Sequence, residues 1–416
     1  LDMRNEDGSR TNNLVHQLRR DGDGLWLFIA HSRDPYNKDI TPRQDIRITV
    51  RGEYAVRVYD TQTGDILPAD FETANGKTVV RASLYDYDSL LLRLEPGEAA
   101  AAVKPAARKG ATAPVPQLVE YSLDEPNAYL LDKAEYALDG EAYRPAEELL
   151  RADNVLREAL GWPTRRDAVA QPWTVKEEKA EHTVRLRFRV PSEIEVLDAR
   201  LALEDADAAK ITLNGKPVAA KPEGWYVDKC IETVALDKLN VGENVIEVEL
   251  PFGRRTNIEW CYLIGAFGVK MQGEYRAITP LPEKLGFDDI TRQGLPHYGG
   301  NITYKVPVEV EGGEITVTAP HYDGAAIRVA LDGEKKGYIV YSPYELSLGE
   351  VEKGNHTLEL TLLGNRENAF GPVHLADETA KWIGPNAWRS ISTMWTESYR
   401  LKRLGIRTAP WITESR

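Results

Sequence analysis

The chain has 416 residues, and at roughly 150 residues per domain this length predicts about three domains. Its 52 Lys and Arg residues against 65 Asp and Glu residues give a net charge of −13. This charge disfavours nucleic acid and anionic membrane surfaces as partners, because polyanions are bound through Lys and Arg. Hydrophobic residues make up 42% of the chain, and no apolar run approaches the roughly 20 residues that cross a bilayer. The composition therefore predicts a folded multidomain protein that binds neither nucleic acid nor membrane.

Residues 1–96 are predicted to form a small β-sandwich. The sequence Asp-Gly-Asp-Gly at 21–24 predicts a hairpin turn, because Asp and Gly tolerate a positive φ. Short apolar runs separated by Gly-containing turns follow it, at 25–30, 46–50, 54–59, 78–84 and 89–94. Regular spacing of this kind is typical of a sandwich or a barrel.

The next 76 or so positions are predicted to connect domains. Residues 97–117 are rich in Ala, Pro and Lys with almost no large apolar side chain, which predicts a linker. Residues 118–172 are predicted to be a connector with one helix near 145–160. Pro145 lies where that helix would begin, and Gly161 lies where it would end.

Residues 173–273 and 274–416 are predicted to be two related sandwiches. In the first, an Asn-Gly hairpin at 214–215 is followed by a Gly-containing turn at 242–244 and an alternating strand. In the second, an Asp-Gly hairpin at 332–333 is followed by a Gly-Asn turn and another alternating strand. Such self-similarity indicates two copies of one unit, although any two sandwiches can share Gly-containing turns. The predicted fold class is all-β, with three β-sandwich or jelly-roll domains in tandem and a short helical connector.

Several sequence segments resemble segments of known glycoside hydrolase families. LNGKPV at 213–218 and VGENVIEVEL at 241–250 are similar to the galactose-binding-like jelly rolls of family 2 glycoside hydrolases and their relatives. QGLPHYGGNITYKV, GNRENAFGPVHL and WIGPNAWR, which begin at 293, 364 and 382, resemble the C-terminal sandwiches of large bacterial glycoside hydrolases, with the family 106 rhamnosidase type among those compared. HQLRRDGDGLWLFIAH at 16–31 resembles the sandwich that follows the catalytic barrel in such enzymes.

The resemblance implies a catalytic (β/α)₈ barrel upstream of Leu1. A barrel of this type needs about 250 residues of alternating strand and helix, and the sequence has no such block. The chain is therefore expected to be the C-terminal part of a longer enzyme whose catalytic carboxylates lie outside it. Whether the chain itself is an enzyme stays open, and so does its compartment.

Aromatic side chains are the main candidates for a binding site. The chain has 19 Tyr and 9 Trp against 7 Phe, and Tyr and Trp combine a ring that stacks on a sugar with a polar group. Loops at sandwich ends often carry binding residues, so Trp225, Tyr226, His297 and Tyr298 are predicted carbohydrate contacts. The alternative for each is a position in a core or an interface. The Trp residues between 382 and 395 are predicted to secure the C-terminal strand.

Charged residues give weaker signals. Arg366 is a candidate sugar contact, because a guanidinium can bind a carboxylate or hydroxyls; the alternative is that it bonds the carbonyls of its own loop. Glu259 beside Trp260 is the most suggestive single carboxylate, since a neighbouring ring can raise its pKa by desolvation, but a solvated strand end is favoured. No catalytic residue is predicted.

No metal site is predicted. The His residues show no HxxxH or HxH spacing, and Cys230 and Cys261 are not part of a CxxC motif. The segment 21–24 resembles a calcium loop but lacks the later Glu ligand. We expect no cofactor, with a structural calcium left open because jelly rolls often carry one. The two Cys residues are predicted to be free buried thiols.

The favoured function is therefore the non-catalytic part of a glycoside hydrolase acting on plant or microbial glycans, whose partners are carbohydrate and the catalytic barrel. The alternative is a free-standing carbohydrate-binding or adhesion protein of tandem jelly rolls. A third hypothesis is a sandwich with its own lyase activity. The first predicts a large exposed apolar patch for the barrel, and the second predicts a polar surface throughout.

Overall fold

The computed structural model describes residues 1–33, 43–61, 63–97, 111–165, 176, 179–219, 221–380 and 392–415. Strands dominate these residues and pair almost entirely in antiparallel fashion, which confirms the predicted all-β, multi-sandwich fold. The α-helices of this part of the chain are α1 (Leu149–Ala159) and α2 (Glu367–Phe370).

The N-terminal sandwich, residues 1–97, is built from nine strands. They are β1 (Asp2–Asn5), β2 (Leu14–Asp21), β3 (Gly24–His31), β4 (Gln44–Arg51), β5 (Tyr54–Tyr59), β6 (Ile66–Pro68), β7 (Asp70–Ala74), β8 (Lys77–Leu84) and β9 (Ser89–Pro96). One sheet has the order β1-β4-β8-β7 and the other β2-β3-β9-β5-β6. Alternate side chains of the facing strands, such as Leu27, Ile48 and Leu92, are fully buried between them.

The turn predicted at 21–24 forms as expected. Asp21 is paired with Gly24, so Gly22 and Asp23 make a two-residue hairpin loop, and Gly22 has φ 63°. Arg93 donates to Asp21 and lies over the Trp26 ring, 5.0 Å from its centroid. This segment is therefore a hairpin held by an ion pair and a cation–π contact.

The remaining strands follow in chain order. They are β10 (Ala111–Ala113), β11 (Leu118–Leu123), β12 (Asn127–Leu131), β13 (Lys133–Leu138), β14 (Arg144–Glu148), β15 (His182–Ser192), β16 (Arg200–Glu204), β17 (Lys210–Leu213), β18 (Lys216–Val218), β19 (Pro222–Tyr226), β20 (Asp228–Ala235), β21 (Gly242–Phe252), β22 (Cys261–Gly265), β23 (Gly268–Gln272), β24 (Tyr275–Thr279), β25 (Leu285–Gly286), β26 (Ile302–Val310), β27 (Gly313–Thr318), β28 (Tyr322–Asp323), β29 (Ala326–Leu331), β30 (Glu334–Ile339), β31 (Glu345–Val351), β32 (Gly354–Leu363), β33 (Gly405–Ile406) and β34 (Trp411–Ser415).

These strands form two sandwiches with matching topology. The middle sandwich consists of the sheets β14-β13-β15-β21-β17-β18 and β12-β22-β16-β20-β19, with β23 and β24 attached to the first. The C-terminal sandwich consists of the sheets β25-β11-β26-β32-β29-β30 and β10-β34-β27-β31. The six strands of each larger sheet follow the same order of connections, and the smaller sheets do too, except that the middle one has β19 as an additional edge strand. Each sandwich has its own buried core.

The two matching hairpins show why the sequence repeats. Asn214 and Asp332 both adopt a left-handed conformation, with φ 51° and 52°, and a Gly follows each. The side chain of Asn214 accepts from the backbone N–H of Val245 at 2.8 Å, and that of Asp332 accepts from Thr357 at 2.7 Å. Each turn residue thus links its hairpin to the neighbouring long strand, β21 or β32.

The segment 118–172 is not a separate connector. Strand β11 pairs with β26 of the C-terminal sandwich, whereas β12, β13 and β14 complete both sheets of the middle one. Strand β10, which falls in the predicted 97–117 linker, pairs with β34 near the end of the chain. The middle sandwich is therefore inserted between strands of the C-terminal one. Long-range strand pairing of this kind leaves no local sequence signal.

The helix begins at Leu149 rather than near Pro145. Residues Arg144–Glu148 form β14 against β13, and Glu148 caps the helix by accepting from the backbone N–H groups of Leu150 and Arg151, both at 3.0 Å. Pairing of β14 within the sheet thus outweighs the preference of Pro for a first helical turn.

The segments 364–380 and 392–401 of the C-terminal half pack on the middle sandwich. Phe370 lies 6.0 Å from Tyr226 and 5.0 Å from Tyr262, measured between ring centroids. Tyr262 also donates to the carbonyl of Ala369 at 3.0 Å. This aromatic contact joins the two sandwiches.

Candidate functional site

An open cleft of about 550 Å³ lies where the middle and C-terminal sandwiches meet. Its walls come from the end of β11 and the turn into β12, the start of β16, the end of β22, and the segment 281–283 that joins the two sandwiches. Pockets of 300 to 1,000 Å³ hold small ligands in other proteins, by a rough survey range, so this cleft has the size of a sugar site.

Apolar groups form part of the cleft surface. Leu123, Ile264, Leu281 and Pro282 line it. Tyr121 also lines it and donates its hydroxyl to the carbonyl of Pro282 at 2.7 Å, which fixes the ring across the junction. These groups provide the apolar contact that the C–H face of a sugar needs.

Two polar groups of the cleft have incomplete hydrogen bonding. Asn127 is 1% exposed, and its amide nitrogen donates to the carbonyls of Phe267 at 2.8 Å and Gly294 at 3.0 Å. These bonds identify its Oδ1 as the acceptor, which has no partner among the described residues. Arg200 donates from Nη2 to Glu223, while its buried Nε has no partner within the same residues. Both atoms are closed to solvent, so each is a buried polar group without a partner among the described residues.

Carboxylates surround these groups. Glu125, Asp198 and Glu283 line the cleft. Glu125 is held by both terminal nitrogens of Arg366, with 2.7 Å between Nη2 and Oε2. The bidentate pair raises the pKa of Arg366, chiefly through the hydrogen bond to Glu125.

A closed polar cluster lies elsewhere between the same sandwiches. Asp132, fully buried between β12 and β13, accepts from Arg276 at 2.9 Å, from His374 at 2.8 Å and from the Tyr399 hydroxyl at 3.0 Å. The Arg276 guanidinium lies between two rings, 4.8 Å from Tyr129 and 4.6 Å from Tyr399. Every acceptor position of Asp132 is directed at protein, so this cluster joins the sandwiches rather than receiving a ligand.

The charge of this cluster is set by burial and by Arg276. Burial by itself raises the pKa of Asp132, but the Arg276 charge and the His374 hydrogen bond outweigh it and hold the pKa well below its usual range. Burial, together with repulsion from Arg276, lowers the pKa of His297 to about 4. His297 is therefore neutral at neutral pH, with its Nδ1 donating to the Asn368 carbonyl at 2.8 Å.

We expect the imidazole of His297 to stay neutral until the pH falls to about 4. The pKa of His356 is expected to lie above the ordinary histidine value of about 6.5. His356 is the internal control, because its hydrogen bond to Asp332 raises its pKa. Between about pH 6.5 and 4 the unfolded chain binds a proton at His297 that the folded chain does not, so this residue lowers stability as the pH falls. A heteronuclear NMR titration of the imidazoles measures both values. Titration of both side chains near pH 6.5 would contradict the expectation.

The structure separates the predicted carbohydrate contacts. Trp225 lies on the edge strand β19 with 55% of its surface exposed. Tyr226, His297 and Tyr298 are buried and present no face to a ligand in this conformation. Tyr226 packs on Phe370, and Tyr298 donates to the Asn301 carbonyl at 2.8 Å. The loop positions predicted for these three residues are therefore interior positions: Tyr226 lies in the core of the middle sandwich against Phe370, and Tyr298 lies in the core of the C-terminal sandwich.

The remaining candidates are also reassigned or fall outside the structure. Arg366 binds Glu125 instead of the carbonyls of its own loop. Trp260 donates to Glu148 at 2.6 Å, so its carboxylate partner is not the neighbouring Glu259. Trp395 stacks on His374 with 4.6 Å between ring centroids. Trp382 and Trp388 lie outside the described residues.

Sequence reasoning missed the residues that define the cleft and the cluster. Asp132 does leave a signal, because it interrupts the apolar residues of 128–138, and a charge within a buried run is expected to be paired. Glu148 directly precedes the helical pattern, the position of an N-cap. Asn127 and Arg200 leave no such signal, since their importance depends on residues far away in the chain.

Two further properties concern the described residues only. No group of three or more His, Cys, Asp or Glu side chains there is arranged to hold a metal ion, and no helix there is long and apolar enough to cross a membrane. Both Cys residues are free thiols; Cys261 is buried as predicted, whereas Cys230 is exposed on β20.

Comparison with known proteins gives distant structural likenesses. Neither a protein-family model nor a curated protein sequence matches the chain. A rhamnosidase from Novosphingobium sp. PP1Y aligns over 99% of this chain and 25% of its own length, with 12% identity and a TM-score of 0.45. A GH2 beta-galacturonidase from Eisenbergiella tayi aligns over 58% of this chain and 37% of its own, with 11% identity and a TM-score of 0.22.

An anti-sigma factor domain-containing protein from Clostridium clariflavum aligns over 57% of this chain and 90% of its own, with 10% identity and a TM-score of 0.18. Glycoside hydrolases are thus among the solved structures to which this β-rich chain is similar, and the chain spans a quarter of the rhamnosidase's length. All three TM-scores lie below 0.5.

Proposed function

We propose that this chain is the non-catalytic part of a glycoside hydrolase and contacts carbohydrate in the cleft between its middle and C-terminal sandwiches. The observation that carries the proposal is the combination, in one open cleft of about 550 Å³, of apolar side chains with exposed polar side chains, among them Asp198 and Glu283. Sugar recognition needs both, because a sugar ring has apolar C–H faces and hydroxyls at its edge. The sequence resemblance to glycoside hydrolase sandwiches agrees with this proposal.

An exposed apolar row on the N-terminal sandwich supports a structural role toward a catalytic domain. Directly opposed residues of neighbouring strands point to the same face. The apolar row across β3, β9, β5 and β6 consists of Phe28, Leu91, Tyr59 and Ile66, and Gln17 of β2 lies at its end. Phe28 is 40% exposed and Ile66 is 52% exposed.

The outer face of an antiparallel sheet is ordinarily polar, and a contiguous apolar row marks an interaction surface. Such a row fits docking of another domain better than a free-standing carbohydrate-binding protein, which would expose a polar surface here. The adjacent row carries Arg19, Arg93 and Arg57, so the matching surface of a catalytic barrel is expected to be apolar with carboxylates at its edge.

The buried carboxylates Asp132 and Glu148 have structural roles. Glycoside hydrolysis requires two carboxyl groups that reach the substrate. Asp132 and Glu148 are closed to solvent and already accept hydrogen bonds from several protein donors. Neither is available to a sugar, so these two residues serve the structure.

The test is calorimetric titration of the full chain with neutral and acidic plant and microbial oligosaccharides, combined with an assay for released reducing sugar. We expect at least one glycan to bind and none to be cleaved. Ala266 is exposed and lines the cleft, so A266W is expected to fill it and weaken binding at least about tenfold, or about 1.4 kcal/mol.

Two variants separate the cleft from the exposed aromatics. W225A removes the accessible sequence-predicted candidate, and Y275A removes an exposed Tyr on β24 as a matched control. We expect both to bind as the wild type does. Flat titrations with every glycan, or unchanged affinity in A266W, would refute binding in the cleft.

A further inference from the structure

Strand β2 is the longest edge strand of the described residues. It lies at the end of the sheet β2-β3-β9-β5-β6 and has eight residues, seven of them exposed. Its pairing with β3 runs from Leu14 to Asp21 without a shift in register, and it contains no Pro. An open edge of this kind offers unpaired backbone groups to another chain, so folded proteins ordinarily block it.

The other sheet edges in the described part of the chain are short or blocked. Strands β6, β14, β18 and β19 contain Pro, which cannot donate to a further strand. Strands β30 and β31 carry bulges, and β12 is buried along its whole length. The remaining edge strands have five residues or fewer. Strand β2 is therefore the edge that length, register and composition leave open.

The backbone groups of β2 point alternately toward β3 and away from it. The Ser32 N–H donates to the Asn13 carbonyl at 2.8 Å, so every second residue from Asn13 onward bonds to β3. The N–H and C=O groups of His16, Leu18 and Arg20 consequently point away from β3. No strand pairs with them among the described residues. An extended segment can therefore be added here through donors and acceptors that are already aligned.

Exposed apolar side chains accompany this edge on both faces of the sheet. Leu18 opposes Leu27, which is fully buried in the core, yet Leu18 itself is 40% exposed. On the outer face, Val15 is 52% exposed. Apolar side chains of an added strand would cover both residues, which extends the core beneath Leu18 and gives the added strand a hydrophobic contact besides its backbone bonds.

The charges of β2 determine what kind of strand fits. Arg19 and Arg20 are exposed on opposite faces, and neither forms an ion pair with another described residue. A second copy of β2 would add two more Arg residues and supplies only Asp21 as an acid. Like charges on paired strands are unfavourable. A segment with carboxylates opposite Arg19 and Arg20 instead gives each guanidinium a partner.

We infer that β2 binds an extended acidic segment of a partner protein, which adds to the sheet as an antiparallel strand. Main-chain hydrogen bonds supply affinity in this mode of recognition, and alternate side chains supply specificity. The inference goes beyond the proposed function, because it requires neither sugar binding in the cleft nor a catalytic partner.

The test uses the full chain and two synthetic peptides as long as β2. The acidic peptide, Thr-Glu-Glu-Val-Thr-Thr-Val-Ile, places a Glu opposite each Arg and a Val opposite both Leu18 and Val15 in the antiparallel register. The basic control has Lys in place of both Glu residues. We expect the acidic peptide to slow hydrogen exchange of the His16, Leu18 and Arg20 amides at least about tenfold, as measured by NMR, and the basic peptide to leave it unchanged.

Variants assign the binding to the backbone and the charges of β2. L18P removes an outward-facing N–H without breaking a bond to β3, so we expect it to weaken the acidic peptide at least about tenfold in calorimetry. L18A is the matched control, because it keeps that N–H, and is expected to weaken binding less than about threefold. R19E/R20E is expected to reverse the preference between the peptides. Thermal unfolding verifies that each variant folds, and R19E/R20E keeps the test valid if L18P does not.

Three results would overturn the inference. The first is failure of the acidic peptide to bind, or equal affinity for both peptides. The second is unchanged binding in a folded L18P variant. The third is dimerisation of the wild type in sedimentation that L18P abolishes, because the occupant of β2 would then be a second copy. None of these results affects sugar binding in the cleft, which the glycan titrations test separately.

Discussion

Replacement of Asp132 by Ala is expected to destabilise the protein by about 3–5 kcal/mol, the usual cost of breaking a buried ion pair. Asp132 is the carboxylate toward which Arg276, His374 and Tyr399 donate. Its removal leaves the buried Arg276 guanidinium without its counter-charge. Because His374 and Tyr399 belong to the C-terminal segment, the loss also weakens the contact between the middle and C-terminal sandwiches. Urea unfolding followed by tryptophan fluorescence measures the effect.

Two further variants serve as comparisons for D132A. D132N keeps the shape but loses the charge, so we expect most of the same loss. D237N changes an exposed Asp and is expected to alter the free energy of unfolding by less than about 0.5 kcal/mol. An effect of D132A no larger than that of D237N would show that the cluster does not stabilise the interface.

The pH dependence of the wild type follows from the lowered pKa of Asp132. Below its unfolded pKa of about 4, the unfolded chain takes up a proton at this residue that the folded chain does not. The stability that Asp132 contributes is therefore fully present above about pH 4 and is lost as the pH falls toward the folded pKa. Subtracting the acid unfolding curve of D132N isolates this contribution.

Replacement of Glu148 by Ala is expected to destabilise the protein by about 2–4 kcal/mol, since it removes a helix cap and leaves buried donors unsatisfied. Glu148 accepts from the backbone N–H groups of Leu150 and Arg151 and from the Trp260 indole. It thus connects the start of α1 to the segment before β22. E147A is the matched control, because the neighbouring Glu147 is half-buried and, among the described residues, pairs with Arg151 and a backbone N–H. We expect E147A to cost about 0.5 kcal/mol.

The pH dependence at Glu148 has the opposite sign. Burial raises the pKa of its carboxyl group to about 8, in spite of the lowering effect of the Trp260 and backbone hydrogen bonds. Between about pH 4.5 and 8 the folded protein therefore holds a proton here that the unfolded chain has released, so this residue reduces stability as the pH rises through that window. In E148Q this contribution is expected to vanish. Identical pH profiles for the wild type and E148Q would contradict the raised pKa.

Much of the fold could be predicted because its signals are local. The strands at 25–30, 46–50, 54–59, 78–84 and 89–94 all form, with ends extended by a few residues at most. The matching hairpins at 214–215 and 332–333 also form. Alternation with a period of two and the left-handed preference of Asn, Asp and Gly are properties of a few consecutive residues.

The site could not be predicted from the same signals. Tyr226, His297 and Tyr298 have the residue types and Gly neighbours of a binding loop, yet all three are buried, Tyr226 against Phe370 and Tyr298 in the core of the C-terminal sandwich. Glu148, rather than Glu259, receives the Trp260 indole, because the fold brings α1 to the segment before β22. A residue's type limits its chemistry, but its neighbours determine whether a ligand can reach it.

The sequence by itself determined that this protein is all-β, and where most of its turns lie, since both follow from contacts between residues close in the chain. Only the tertiary structure decided that the middle sandwich is inserted between strands of the C-terminal one, and that a cleft opens where they meet. Arg366 and Glu125 are 241 positions apart, and His374 and Asp132 are 242 apart. Such pairs arise from the way whole sandwiches pack, and sheet pairing over these distances has no local pattern to reveal it.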